Sequence, residues 1–242
     1  MAEFYPKIIG FYDSITDQKP ERFLKLIKEY SKKHKIYTIL DIGCGTGTLV
    51  RLLAKNNFRA IGLDNSEVML KEARKKINDK KLKDAEFRNG NMVDFTLKNK
   101  VDIITCSDAI NHILDKAELL KCFGNCYKNL NKKGAFIFNT QTEEYIKELE
   151  ESLGYGGFKE GNAFIWQDYL IGNKHLLEFT IFEKQKNGLY KKQIEELIQA
   201  VYGRNEVIKL LKKAGFKKIR VLNEYLKKST AKDIENIFIA EK

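Results

Sequence analysis

The first segment that could do chemistry is a glycine-rich turn after a short run of β-forming residues. It reads "YTILDIGCGTGTLVRLLAKN", and its glycines are Gly43, Gly45 and Gly47. Glycine tolerates positive φ and carries no Cβ, so its backbone can pass close beneath a bound molecule. The helix expected after the turn would present free N–H groups to the same molecule. The turn therefore indicates a cofactor site.

The spacing of these glycines excludes two common nucleotide sites. A dinucleotide fingerprint needs G-x-G-x-x-G, but the last position is Thr48 when counted from Gly43 and Val50 when counted from Gly45. A phosphate-binding P-loop would need Gly-Lys-Ser or Gly-Lys-Thr after the turn, and neither follows. The pattern that remains is D-x-G-x-G-x-G, in which Asp41 ends the strand.

Polar residues also follow the next expected strands. "RAIGLDNSEVML" ends a strand at Asp64, and Ser66 is placed to cap the helix after it. A carboxylate at such a strand end can accept hydrogen bonds from both hydroxyls of a ribose. The segments "RNGNMVDF" and "VDIITCSDAINHI" contain the ends of the next two strands.

The alternation of elements predicts an α/β fold. Two helices are expected over 4–12 and 21–30, and strands then alternate with helices through residue 140. Continuous apolar strands separated by helices predict right-handed crossovers and a parallel sheet buried on both faces. This gives an N-terminal helical unit over 1–35 and a cofactor-binding core over 36–140.

The alternation stops near Gln141. A helix "TEEYIKELEESL" and a glycine-rich segment come first, followed by two β-rich runs separated by a short turn at Gly172 and Asn173. Residues 189–201 fit either a helix or one face of a strand. We therefore expect an inserted, antiparallel β-rich unit over 141–202, after which 203–242 return to the core with a helix and the last strands.

These motifs together resemble the class I S-adenosylmethionine-dependent methyltransferases. The D-x-x-N of Asp108 and Asn111, the inserted segment and the returning "LLKKAGFKKIRV" resemble a branch of small-molecule N-methyltransferases with a β-rich insertion after the fifth strand. The resemblance implies a Rossmann-like, doubly wound and mostly parallel sheet. An antiparallel final hairpin, a helical N-terminal lid and S-adenosylmethionine as cofactor are implied with it.

The resemblance also implies roles for individual residues. Asp41 would lie by the cofactor's ammonium group, directly or through water, and Asp64 would hold the ribose. Met69 would form an apolar wall against the adenine, and Asn91 stands where the family more often has Asp. The expected cofactor contacts are Asp41, Gly43, Cys44, Gly45, Gly47, Asp64, Asn65, Met69, Asn91, Met92 and Ser107. Cys44 and Cys106 are interpreted as small packing residues rather than nucleophiles.

The catalytic candidates are His112, Asp108 and Tyr12. His112 is the histidine nearest the expected site, and it is either a general base or a structural residue. Tyr5 and Tyr12 could form a lid over the cofactor or pack in the core.

The inserted unit carries two aromatic candidates of its own, Trp166 and Tyr169. They could line the substrate mouth or pack within the inserted sheet.

Composition narrows the class of partner. The formal net charge is +11, carried mostly by lysine doublets spread along the chain, and this pattern fits a solvated surface or a face that binds a polyanion. The preferred acceptor is a small molecule with an amine or hydroxyl. RNA is the alternative, and a protein that binds S-adenosylmethionine without catalysis is the third possibility. Nothing in the sequence fixes the oligomeric state.

Other features concern compartment and metals. No apolar run approaches the roughly 20 residues that span a bilayer, and the N-terminal segment lacks the pattern of a signal peptide. The four cysteines form neither a disulfide framework nor a paired zinc-ligand spacing. The sequence therefore predicts a cytoplasmic protein with reduced thiols, no bound metal and no membrane partner.

Overall fold

A computed structural model of the chain describes residues 9, 12–15, 19–77, 82–152, 154–159, 161–230 and 232–242. Tyr5 and most of the helix expected over 4–12 lie outside these residues. The elements in chain order are α1 (Tyr12–Ile15), α2 (Pro20–Ser31), β1 (Thr38–Ile42), α3 (Thr48–Lys55), β2 (Arg59–Asp64), α4 (Glu67–Lys75), β3 (Ala85–Asn89), β4 (Val101–Cys106), a 3₁₀ turn (Ile110–His112), α5 (Lys116–Asn129), β5 (Leu130–Gln141), α6 (Glu143–Glu151), β6 (Tyr155–Lys159), β7 (Asn162–Ile171), β8 (Lys174–Lys184), β9 (Tyr190–Ala200), α7 (Arg204–Lys213), β10 (Lys218–Leu222) and β11 (Glu235–Glu241).

Seven strands form the main sheet in the order β10-β11-β5-β4-β1-β2-β3. Strands β1 to β5 pair in parallel, whereas β11 is antiparallel to both β5 and β10. The expected mostly parallel sheet with an antiparallel final hairpin is confirmed. Because β1 lies between β2 and β4, the strand order reverses there, and open α/β sheets bind ligands outside the carboxyl ends of strands at such a point.

Helices cover both faces of this sheet, as the continuous apolar strands predict. One face packs against α2, α3 and α4 through Phe23, Ile27, Leu53 and Leu70. The other packs against α5 and α7 through Phe123, Cys122, Cys126 and Leu211. Since successive side chains of a strand point to opposite faces, Ile39 of β1 joins the first cluster and Leu40 the second.

The residues after β5 form a separate antiparallel sheet in the order β6-β7-β8-β9. The turn at Gly172 and Asn173 joins β7 to β8, as predicted. The ambiguous residues 189–201 are resolved as a strand, since β9 pairs with β8 along its whole length. The glycine-rich segment holds β6, a strand that the sequence did not predict, because four glycines among the nine residues 154–162 mark that stretch as a loop.

The inner face of this second sheet lies near the carboxyl end of β4. It carries the buried cluster Phe164, Leu177, Phe179, Ile181 and Leu197, against which Tyr12 and Trp166 pack. The 3₁₀ turn after β4 is tied to β9, because Asn111 Nδ2 donates a hydrogen bond to the carbonyl of Ala200 at 2.6 Å. Within the described residues, no helix is both long and apolar enough to cross a membrane.

Candidate cofactor and active site

A pocket lies at the carboxyl ends of β1, β2 and β4, where the strand order reverses. It is lined by Tyr12, Gly43, Gly45, Asp64, Asn65, Met69, Met92, Ser107, Asp108, Ala109 and His112. All of these except Ala109 were candidates from the sequence. Ala109 follows Asp108 directly, and a small apolar residue carries no signal by which it could have been singled out.

Two of the three glycines in the turn are required by packing. Gly43 has φ of 67°, and a Cβ there would lie 2.4 Å from the Cβ of Ala109. Gly47 precedes α3 with φ of 75°, and a Cβ there would lie 2.3 Å from Cζ of Phe87. Both distances are far below van der Waals contact, so these glycines let the turn approach β4 and β3.

Gly45 is different because its missing side chain leaves open space. Its φ is 53°, and the nearest atom to a Cβ built there is Tyr12 Oη, 4.0 Å away. Since Gly45 also lines the pocket, a side chain at this position would occupy the space that a ligand needs. The turn therefore combines two glycines for packing with one that opens the pocket.

Asp64 is held in place by backbone amides on both sides of the pocket. Its Oδ2 accepts from Gly45 N at 2.8 Å, and its Oδ1 accepts from Ser66 N at 2.8 Å. Burial raises the pKa of Asp64, and these hydrogen bonds oppose that rise. Each carboxylate oxygen keeps a further lone pair, so Asp64 can accept two hydroxyl groups while it holds the turn. Ser66 also caps α4, since its Oγ accepts from Met69 N, as predicted.

Asp41 lies behind the turn rather than in the pocket lining. It is 2% exposed, and its Oδ1 accepts from Thr105 Oγ1 at 2.7 Å. Burial, opposed by the hydrogen bond from Thr105 and helped by the negative charges of Asp64 and Asp108, raises the pKa of Asp41 to about 7. A cation bound above the turn would stabilise the ionised form of this buried carboxyl group.

Three other expected contacts are absent from the described pocket lining: Cys44, Gly47 and Asn91. The thiol of Cys44 packs in the core, where burial raises its pKa well above the usual range. The side chain of Asn91 is exposed, and its Oδ1 accepts from Val93 N at 2.9 Å, closing a local turn. That these three residues contact the cofactor stays a prediction. At Cys44 and Gly47 the contact would have to come from backbone atoms.

The opposite end of the pocket holds the catalytic candidates. Asp108 is exposed, has φ of 55° and accepts a hydrogen bond at Oδ2 from Ser107 Oγ at 3.1 Å. Burial lowers the pKa of His112 to about 4, so its imidazole is neutral near pH 7 and one ring nitrogen can accept a hydrogen bond. His112 Nε2 lies 3.4 Å from the side-chain nitrogen of Gln199 on β9, which brings the inserted sheet to this end of the pocket.

The structure separates the two aromatic candidates of the insertion. Trp166 packs on the inner face, and its Nε1 donates to Asp168 Oδ1 at 3.1 Å. Asp168 also lies 2.7 Å from Nε2 of His175, so a buried polar group adjoins the apolar cluster. Tyr169 alternates with Trp166 and Asp168 in register along β7, which places it on the outer face, away from the pocket.

Comparison with known proteins agrees with this geometry. A sequence-family model described as "Methyltransferase domain" matches residues 33–215 of the 242. The chain belongs to the class I S-adenosylmethionine-dependent methyltransferases. A protein of Geobacillus sp. (strain WCH70), provisionally named a methyltransferase, is 26% identical over 246 aligned residues, covering 98% of this chain and 99% of that one.

Solved structures share the fold of this methyltransferase. An S-adenosylmethionine-dependent methyltransferase from Clostridium acetobutylicum ATCC 824 superposes with a TM-score of 0.80 at 22% identity, covering 98% of each chain. A sugar N-methyltransferase from Streptoalloteichus sp. ATCC 53650 superposes with a TM-score of 0.77 at 16% identity, covering 100% of this chain and 94% of that one.

S-adenosylmethionine is the cofactor of this methyltransferase. The residues of the pocket fit it on their own chemistry. Gly45 leaves open space at the turn, Asp64 offers free lone pairs for ribose hydroxyls, and Met69 and Met92 offer polarizable apolar walls for an adenine.

Proposed function

We propose that this methyltransferase methylates a nitrogen or an oxygen of a small molecule. The observation that carries the proposal is the position of the inserted sheet. Its inner face lies beside the pocket through the Gln199–His112 contact and through Tyr12, which both lines the pocket and packs on the inner cluster. An acceptor reaching His112 and Asp108 would lie in the space between that face and the main sheet, which suits a molecule of limited size.

Each end of the pocket has a separate task. When bound, S-adenosylmethionine supplies a methyl group already activated by its sulfonium, so the protein needs chiefly to bind, align and exclude water. Gly45 admits the cofactor, Asp64 holds the ribose, and Asp41 places a negative charge beneath the cofactor's ammonium group. Asp108 and Ser107 would orient the acceptor with its lone pair opposite the methyl group.

His112 is the side chain placed to contact the hydroxyl or amine of the acceptor. Its imidazole is neutral at physiological pH, the form that a general base requires, but a pKa of about 4 makes it a weak base, so its part is chiefly to accept a hydrogen bond from the acceptor. A neutral amine would need no such base, because its lone pair is already available.

The likeness to a sugar N-methyltransferase supports an amine as the first acceptor to try. The two proteins share a fold at low sequence identity, so the acceptor could equally be a hydroxyl, and both acceptor classes need to be tested. The +11 charge favours RNA as the second candidate, because lysine-rich surfaces attract phosphate backbones.

The test supplies purified protein with methyl-labelled S-adenosylmethionine and a cell extract separated into metabolite and RNA fractions. The proposal predicts label in the metabolite fraction, and loss of that label with the Asp64→Ala variant. Label confined to RNA would overturn the small-molecule assignment and assign the lysine-rich surface to substrate binding. Cofactor binding without label in either fraction would favour the non-catalytic alternative.

A further inference from the structure

Asp108 is hydrogen-bonded to a buried asparagine of the neighbouring strand. Asn139 of β5 is 1% exposed, and its Nδ2 lies 2.5 Å from Asp108 Oδ1. Its Oδ1 accepts from the backbone amide of Asp108 at 2.8 Å. One amide group therefore holds both the carboxylate and the backbone of Asp108. The residue so held has φ of 55°, a region that residues other than glycine seldom occupy and that surrounding contacts must enforce.

The side chain of Asn139 also contacts a second carboxylate. Asn139 Nδ2 also lies 2.5 Å from Glu235 Oε1 of β11. The β5–β11 register pairs Asn139 with Ile237 and Glu235 with Gln141, so the two polar side chains share one face of the sheet. That face is the one covered by α2.

Arg22 of α2 completes the network. Its guanidinium forms an ion pair with Glu235, in which Nη2 donates to Oε1 at 3.2 Å and Nη1 contacts Oε2. The ion pair compensates the negative charge of the largely buried Glu235, which leaves Asp108 as the uncompensated carboxylate of the network. The network consists of Arg22 of α2, Asp108 after β4, Asn139 of β5 and Glu235 of β11. It therefore runs across three neighbouring strands at the end of the sheet where methyl transfer is proposed to occur.

We propose that Asn139 and Glu235 are positioning residues that fix the carboxylate of Asp108 at the methyl-transfer end of the pocket, with Arg22 connecting that carboxylate to α2. The effect of this network on methyl transfer rests on the proposed function, whereas its effect on the position of the Asp108 carboxylate does not. Asn139 does not line the pocket, and neither do Glu235 and Arg22, so their effect on transfer is exerted through Asp108.

The consequences of breaking the network follow from its bonds. Without the Asn139 amide, Asp108 loses one hydrogen bond at its backbone amide and one at its carboxylate, so we expect the carboxylate to move away from the acceptor. A misplacement of about 1 Å at a reacting centre can slow a reaction by about a hundredfold. Cofactor affinity should stay unchanged, because the carboxylate of Asp64 is held by the backbone amides of Gly45 and Ser66 and not by a residue of the network.

The test compares Asn139→Leu with Asn236→Leu. Asn236 is a matched control, since it is 4% exposed, lies on β11 next to Glu235 and accepts from Ser229 Oγ at 2.7 Å, away from Asp108. Glu235→Gln is the second variant, because it removes the charge while keeping an acceptor for Asn139. Three readouts apply to each protein: affinity for S-adenosylhomocysteine by calorimetry, the crystal structure with that compound, and the rate of label transfer to the metabolite fraction.

We expect Asn139→Leu to displace the Asp108 carboxylate by about 1 Å or more and slow transfer by about a hundredfold, with unchanged affinity for S-adenosylhomocysteine. Glu235→Gln should slow transfer less, and Asn236→Leu should leave both the rate and Asp108 unchanged. An unmoved Asp108 in Asn139→Leu, or an equal loss of rate in Asn236→Leu, would overturn the proposal. If Asn139→Leu does not fold, Asn139→Ala, which also removes the amide but adds no larger apolar side chain, decides by the same criteria.

A failure of the proposed function gives a different result. The wild-type protein would then label no metabolite, while the crystal structures would still report whether Asp108 moves. The two proposals can therefore fail separately.

Discussion

The carboxylate of Asp64 accepts a hydrogen bond from the backbone amide of Gly45, at a distance of 2.8 Å between Oδ2 and N. This contact joins the end of β2 to the glycine turn after β1, so the group that would hold the ribose also fixes the opening through which the cofactor enters. Ser66 N, bonded to the other carboxylate oxygen, secures the same side chain from the opposite direction.

Asp64→Ala should therefore weaken the binding of S-adenosylmethionine. Loss of hydrogen bonds to a charged group costs about 1.5–3 kcal/mol, which corresponds to a dissociation constant higher by about tenfold to a hundredfold. Isothermal titration calorimetry measures this directly.

The matched control for that variant is Asp115→Ala. Asp115 also accepts two backbone amides, those of Ala117 and Glu118, but it caps α5 and does not line the pocket. We expect the control to lose about 1 kcal/mol of stability and to bind the cofactor normally. Equal weakening by both variants would show that Asp64 acts through stability alone.

Gly45→Ala and Gly47→Ala should separate cofactor binding from stability. Alanine at Gly47 would meet the ring of Phe87, so that variant should unfold at a markedly lower temperature. Alanine at Gly45 meets no such obstacle, and the left-handed backbone alone costs about 1–2 kcal/mol. Its Cβ would project into the pocket, so we expect a larger loss of affinity for S-adenosylmethionine. Thermal unfolding and calorimetry on both variants check this, and the reverse pattern would contradict the roles given to the two glycines.

The buried carboxyl group of Asp41 should make stability depend on pH. Its pKa of about 7 in the folded protein exceeds the ordinary value of 3.8, so its contribution is fully present below about pH 3.8 and is lost as the pH rises through about 7. Asn cannot ionise, so the stability advantage of Asp41→Asn over the wild type should grow by about 2–3 kcal/mol between pH 5 and pH 8. Urea unfolding at both pH values measures it.

The same variant should bind S-adenosylmethionine less tightly, because the negative charge beneath the turn is gone. We therefore expect Asp41→Asn to raise the stability of the protein and to lower its affinity for S-adenosylmethionine. An advantage that does not change with pH would mean that the carboxyl group is ionised in the folded protein without cost.

His112 should make stability depend on pH in the opposite direction from Asp41. Its pKa of about 4 lies below the ordinary value of 6.5, so the stability that depends on its neutral form is present above pH 6.5 and lost as the pH falls towards 4. Relative to His112→Gln, the wild type should lose about 1–2 kcal/mol of stability between pH 7 and pH 5. Chemical denaturation across that range tests the difference, and parallel curves for the two proteins would rule out a neutral, buried imidazole.

Much of the main sheet could be predicted because its signals are local. The strand "RAIGLD", the cap at Ser66 and the glycine turn each depend on a few neighbouring residues, and the structure has all three. β9 was ambiguous for a reason that lies in its own residues. Ile194, Leu197, Ile198 and Val201 fit a helical stripe, whereas Tyr190, Ile194 and Ile198 fit one face of a strand. Pairing with β8 decides it, and that pairing cannot be read from β9 itself.

The candidate site shows the same limit. Gly45 was predicted from the glycine motif and Asp64 from its place at the end of the next strand, but Asn139 carried no signal within the apolar strand "GAFIFNT". Its partner Glu235 follows 96 positions later, and Arg22 precedes Glu235 by 213 positions. Only the insertion of β11 beside β5 and the packing of α2 on that face bring these side chains together.

The most direct test of the account is a crystal structure of the protein with S-adenosylhomocysteine. We predict that the ribose hydroxyls bind Asp64, that the backbone at Gly45 lies against the ligand, and that the sulfur points towards Asp108 and His112. A ligand bound elsewhere, or a ribose that does not contact Asp64, would contradict the central claim that the turn after β1 and the acid at the end of β2 form the cofactor site.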